Sequence, residues 1–279
     1  RRQRQMCIRD SNNTATFYGR NEVFSNLGYD TFTTIENMYI EDFTPMGWAK
    51  DYYLTEYILK ALKSTKKQDF VYAISVQGHG SYPTDGDYDY PVTIKGDLDE
   101  DVINQYQYYA MQTYEMDKFI KKLTNALKKL DEDTILVMYG DHLPSFGLSG
   151  EDLVNGDVYQ TQYVIWSNFD MDRQEKNIQA YQLSAYVMQR LGISEGYIMK
   201  YHQSKQKLPE DEYLKNLKIL EYDILYGKKE IYGGETPYEA TNLKMGIDDI
   251  EITDVYNYNN TVFIEGSSFN DYSLSLIHI

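Results

Sequence analysis

Thr134-Ile-Leu-Val-Met-Tyr-Gly-Asp-His-Leu-Pro144 begins as a strand and ends as a loop with polar chemistry. Ile135, Leu136, Val137 and Met138 form a short continuous apolar run with no polar alternation. That pattern suits a strand covered on both faces, as in a parallel sheet flanked by helices. Gly140 breaks the run, Asp141 and His142 follow at once, and Pro144 keeps the loop from continuing as ladder or helix. In open α/β sheets, ligands collect just outside the carboxyl ends of the strands. A carboxylate and an imidazole delivered there together suit a divalent metal such as Zn²⁺ or Mn²⁺. An Asp that caps the next turn beside a His that is only a polar loop residue would give the same letters.

Phe70-Val-Tyr-Ala-Ile-Ser-Val-Gln-Gly-His-Gly-Ser-Tyr-Pro83 repeats the design. A run rich in strand formers leads to His79 between two glycines. The chain has four His, and two of them occupy these equivalent places. Taken alone, His79 also reads as a turn residue.

Several motifs then occur together and in order: Phe17–Arg20 (FYGR) with Leu27–Asp30 (LGYD), Val76–Pro83 (VQGHGSYP), Tyr139–Pro144 (YGDHLP) and Tyr163–Asp170 (YVIWSNFD). As a set they resemble the lipoteichoic acid synthase family, the sulfatase-like and alkaline-phosphatase-like phosphoglycerol transferases of Gram-positive bacteria. The stretches 220–229 and 233–239 also look like this family, so the resemblance covers most of the chain, from about Asn12 to the region of Gly246.

The resemblance implies that Asp141 and His142 are metal ligands, for Mn²⁺ or another divalent ion such as Mg²⁺ or Zn²⁺. It implies that His79, Tyr18 and Arg20 hold the phosphoglycerol group. The best-known members carry Trp where Tyr18 stands, and an acidic residue shortly before it where this chain offers Asn13. Without the resemblance Arg20 reads equally as a surface Arg, since guanidinium is both the favoured phosphate fork and a common surface group.

The implied reaction moves glycerol phosphate from phosphatidylglycerol to a growing polymer or glycolipid through a phospho-threonine intermediate. A metal offsets phosphate charge, His and Arg stabilise phosphoryl oxygens, and a covalent intermediate splits one hard displacement into two. By the same resemblance, the Thr nucleophile and a Glu ligand belong before Asn12, after amino-terminal membrane-spanning helices. The chain is therefore expected to be an inactive fragment of a cell-membrane protein with an extracellular catalytic domain. A sulfatase-like hydrolase, a transferase using another head group, and a non-catalytic cell-surface binding module stand as alternatives.

Composition narrows the classes further. The net charge of −16 argues against a nucleic-acid binder and a polybasic membrane-surface protein. Residues 1–11 hold four Arg and the chain's one Cys, and show no clear period. They and residues 273–279 look adapter-derived and are expected to stand outside the core. Without the first segment the chain has no thiolate ligand to offer.

The expected fold class is α/β, a mostly parallel sheet with helices on both faces, alkaline phosphatase/sulfatase-like but incomplete. The expected domains are a partial catalytic domain over 12–240 and the start of a truncated Ig-like β module over 241–272. Within them, a short helix stopping at Gly28 should bury Val23, Phe24 and Leu27. A helix over 51–63 should bury Leu54, Tyr57, Ile58 and Ala61, and a strand should run from 70 to 77. The acidic loop 84–91 lacks calcium-loop spacing and reads as a solvated rim. A long helix over 101–130 should lead into the strand at 134–139 by a strand–helix–strand crossover. A strand at 163–167, helices over 179–191 and 214–225, an edge strand near 230–232 and a surface His202 complete the expectations. A hairpin should turn at Asn257-Tyr-Asn-Asn260.

Overall fold

Thr31, Phe32 and Thr33 are all buried, and successive residues of a strand face opposite ways. Both faces of the sheet are therefore covered at this point. The computed structural model describes residues 3–8, 16–86, 88–236 and 238–269. Its elements, in chain order, are β1 (Gln3–Ile8), α1 (Arg20–Asn26), β2 (Thr31–Thr33), α2 (Leu54–Lys63), β3 (Asp69–Ile74), α3 (Glu100–Leu127) and β4 (Ile135–Tyr139). Then follow β5 (Tyr163–Ser167), α4 (Leu183–Arg190), α5 (Tyr197–Gln203), α6 (Glu210–Leu225), β6 (Lys244–Met245), β7 (Glu251–Tyr258) and β8 (Thr261–Ser267), with short 3₁₀ turns between.

The chain divides into two compact units. The first holds residues 1–132, 140–162 and 240–279; the second holds 133–139 and 163–239. In the first, a four-stranded parallel sheet runs in the order β3-β1-β2-β6. Phe24 of α1, Tyr29 and Phe32 of β2 form its aromatic core, with ring centroids 5.3 and 5.5 Å apart, and Tyr72, Ile74, Leu243 and Met245 pack around them. In α2, Leu54, Ile58 and Ala61 are buried at helical spacing, while Tyr57 is half-buried and its hydroxyl accepts from the Tyr39 amide. In α3, Phe119, Leu123 and Leu127 bury one stripe, and Gln107, Tyr108 and Gln112 continue it towards the amino end.

Four expectations are corrected here. Residues 3–8 form β1 and pair with β2 on one side and β3 on the other, so this part of the first segment lies inside the sheet. The slot between those two parallel strands satisfies backbone groups that either would otherwise leave open. Residues 273–279, and Asn13, lie outside the described residues. Of the three apolar residues expected to be buried at α1, only Phe24 is; Val23 within the helix and Leu27 just after it are about half exposed, at 48% and 54%. A helix of seven residues touches the sheet along a narrow line and cannot bury three adjacent flanks. The strand expected to reach residue 77 ends at Ile74, because the following amides bond to a side chain instead of a neighbouring strand. Finally, α3 does not lead to a parallel neighbour of β3: β4 pairs antiparallel with β5, Ile135 opposite Ser167 through Tyr139 opposite Tyr163. An apolar run signals burial, but not strand direction.

The second unit contains that two-stranded sheet, α4, α5 and α6. The stretch 230–232 is a 3₁₀ turn, not an edge strand. Helix α5 takes His202 off the bare surface, contrary to expectation. Tyr213, fully buried, stacks on Tyr201 at 5.3 Å. Its hydroxyl accepts from Gln182 Nε2 at 3.1 Å and meets His202 Nδ1 at 2.7 Å. Burial pushes the His202 pKa down from its ordinary 6.5, partly opposed by Glu221.

The folded value is thus the lower one. As pH falls through 6.5, the unfolded chain takes up the proton first, so this contribution to stability is present above 6.5 and lost below it. Thermal melts of wild type and His202→Asn at decreasing pH check this: the wild type is expected to lose more stability on acidification than the variant.

After β6, β7 and β8 form the expected hairpin. Asn259 and Asn260 both take positive φ, 51° and 62°, as a two-residue turn matching the strand twist requires. Among the described residues no helix is long and apolar enough to cross a membrane.

Candidate active site

Two loops of the first unit meet. The chain leaves β3, passes Gly78 and presents His79, whose amide donates to Val76 O at 2.9 Å in a tight turn. The second loop begins at Gly140 and presents Asp141 and His142. The imidazoles of His79 and His142 lie edge to face, 6.2 Å between centroids. Sixty-odd residues of sequence separate them, so the contact is made by the fold and not by local chain geometry.

Residues that the sequence reading did not single out hold the loops together. A Cβ on Gly80 would run into Ser145 Oγ, so glycine permits the close approach of the second loop. Tyr82, 5% exposed, packs on Phe146 at 4.8 Å, and Phe146 also touches Tyr106 and Tyr109 of α3. The Trp48 ring stands against His79 at 4.9 Å. Tyr82, Ser145 and Phe146 sit within or just after the two loop stretches, and their aromatic and small character was the available clue.

Backbone contacts fix which ring nitrogen of each His bears the proton. His142 Nδ1 meets Leu143 O at 2.8 Å and His79 Nδ1 meets Gly80 O at 2.5 Å. A carbonyl can only accept, so each ring carries its proton on Nδ1 and keeps the Nε2 lone pair for a ligand. Asp141 Oδ1 accepts from the His142 amide at 2.9 Å, and Asp141 Oδ2 lies 3.7 Å from His142 Nε2. Both side chains are open, with 84% and 61% exposure for Asp141 and His142. One carboxylate and one imidazole nitrogen converging on open space fit a divalent metal in donor type. They are two ligands, and among the described residues no group of three or more His, Cys, Asp or Glu completes a cage.

Tyr18 and Arg20 sit at the start of α1. Tyr18 is 83% exposed, with φ of 53°, and its ring lies 4.2 Å from that of Phe17. The Arg20 guanidinium lies over the Phe17 ring at 5.4 Å. Tyr18 also lines an open groove of about 460 Å³ along α1 with Val23 and Leu27. The described ring contacts of Tyr18 and Arg20 are local, whereas His79 and His142 touch each other directly.

With the site in view, comparison with known proteins places the chain. The sulfatase family profile matches residues 10–193, well over half of the sequence. The chain belongs to the sulfatase family. It is 32% identical over 143 residues to lipoteichoic acid synthase 2 of Bacillus subtilis (strain 168), a match covering 49% of this chain and 20% of that protein. It is 29% identical over 168 residues to a protein assigned to cyclic beta-1,2-glucan modification in Rhizobium meliloti (strain 1021), covering 54% of this chain and 26% of that one. The matches thus span about a fifth to a quarter of the length of these curated relatives. Its fold is similar to the phosphoglycerol transferase GacH of Streptococcus pyogenes, solved in complex with sn-glycerol-1-phosphate. The TM-score is 0.69 at 19% identity, over 86% of this chain and 66% of that one. The expected alkaline phosphatase/sulfatase-like α/β fold and the resemblance to lipoteichoic acid synthases both stand.

Proposed function

We propose that this sulfatase-family chain carries the metal- and phosphate-binding loops of a phosphoglycerol transferase of the lipoteichoic acid synthase type. The observation that carries this is the apposition of His79 and His142 from two separate loops, each with Nδ1 against a backbone carbonyl. Asp141 and His142 Nε2 would hold a divalent ion, Mn²⁺ by preference. Such an ion supplies charge neutralisation at a phosphoryl oxygen.

His79, whose ring stands edge to face with that of His142, would hold a phosphate oxygen. Arg20 offers a bidentate fork, and Tyr18 an aromatic face and hydroxyl, to the glycerol phosphate. The substrate is glycerol phosphate carried on phosphatidylglycerol, and the acceptor is a polymer or glycolipid at the outer face of a cell membrane. We assign no nucleophile among the residues of this chain, so alone it is expected to bind without turnover.

Calorimetric titration of the chain with sn-glycerol-1-phosphate, with and without Mn²⁺, tests the proposal. Metal-dependent binding that an aryl sulfate does not compete away is the expected result. Preferential binding of the sulfate ester would favour a sulfatase-like hydrolase. No binding of either ligand would favour a structural cell-surface module.

A further inference from the structure

The turn that presents His79 is not held by sheet pairing. Asp51, with no exposed surface, aims Oδ1 at the amides of Val76 and Gln77, at 3.1 and 3.3 Å. Its own amide donates to Gln77 Oε1 at 2.8 Å, so the two residues clasp each other. Gln77 is 3% exposed, and the other end of its amide donates to Gln112 Oε1 at 3.0 Å and to Glu115 Oε2. Glu115 in turn accepts from Lys50 Nζ at 2.8 Å, and Lys50 is the residue before Asp51. The ring of contacts therefore closes: Lys50-Asp51, Gln77, the α3 pair Gln112 and Glu115, and back to Lys50. Trp48, on the same short segment, rests against the His79 ring.

Such a network is costly to bury unless its members are partnered. Here every member is partnered, and the network holds the backbone of Val76 and Gln77, just before the exposed His79. A turn built only to connect β3 to the acidic loop 84–91 would need none of them. We propose that Gln77, clamped between Asp51 and the Gln112–Glu115–Lys50 group, is the positioning residue that sets where His79 meets a bound phosphate. The proposal rests on reading His79 as a phosphate-binding residue, and it adds Gln77 and Asp51 to that site as residues acting through His79.

Two readouts on the full chain test it. The first is the ¹⁵N imidazole resonances of His79 without metal; the second is calorimetric affinity for sn-glycerol-1-phosphate with Mn²⁺. Gln77→Met keeps the volume and removes every side-chain hydrogen bond. It is expected to fold by circular dichroism, shift the His79 resonances and weaken glycerol phosphate about tenfold. Asp51→Asn retains an Oδ1 acceptor for the two amides and is expected to keep affinity within about twofold. If Gln77→Met does not fold, Gln112→Met removes one partner alone and should shift His79 in the same sense.

A folded Gln77→Met or Gln112→Met protein with unmoved His79 resonances and wild-type affinity overturns the inference. If the wild type binds no glycerol phosphate, the functional reading of the site falls and the inference with it. Bound ligand with unmoved His79 resonances overturns the inference alone.

Discussion

Replacing Asp141 or His142 by Ala is expected to abolish specific Mn²⁺ binding, with a loss exceeding the about 10–100-fold that removal of a mere supporting partner costs. Each supplies one of two adjacent donors, so deleting either leaves a single ligand on an open surface. His142→Ala also removes the edge contact to His79. Both side chains are exposed, so neither substitution opens a cavity or strands a buried partner, and the fold should survive. His79→Ala is the internal contrast: metal affinity should hold while glycerol phosphate affinity falls. Calorimetry with Mn²⁺ and then with ligand separates the two effects. Undiminished Mn²⁺ binding by the Asp141→Ala protein would place the metal elsewhere.

The largest effect on stability is expected at Phe32. Its side chain has no exposed surface, sits mid-sheet in β2, and packs edge-on against Phe24 while Tyr29 closes the cluster. Phe32→Ala removes a ring that both helix and sheet enclose. The expected cost is about 3–5 kcal/mol, the sum of lost transfer energy and residual cavity. That is a large share of the roughly 5–15 kcal/mol by which domains are stable. Val23→Ala, on the half-exposed flank of α1, should change stability by no more than about 0.5 kcal/mol. Denaturant melts of the two variants check the contrast, and equal losses would mean that α1 packs differently.

The sequence disclosed most where chemistry forces a pattern. Continuous apolar runs marked β3 and β4, and the four-residue spacing of Phe119, Leu123 and Leu127 marked α3. The Asn pair at 259–260 marked the hairpin turn. Asp141, His142 and His79 were legible because glycine sets each of them off at the end of a strand-like run.

What was hidden depends on partners distant in sequence. The run at 135–139 could not say that its neighbour would be antiparallel β5. Residues 3–8 show their role only through pairing with both β2 and β3. Asp51 and Gln77 looked like ordinary polar residues, one at a helix entry and one at a strand end. Their significance lies in hydrogen bonds spanning 25 to 38 positions of sequence. His202 looked like a surface residue because Tyr213, eleven positions on, is invisible to local pattern.

One space between the two His-bearing loops is expected to take both a divalent metal and a phosphate. A crystal of the chain grown with Mn²⁺ and sn-glycerol-1-phosphate, measured for anomalous scattering at the manganese edge, tests this most directly. The expected result is a manganese peak bonded to Asp141 and His142 Nε2, with the phosphate within hydrogen-bond reach of His79. A manganese peak away from Asp141 and His142, or a phosphate bound out of reach of His79, would contradict it.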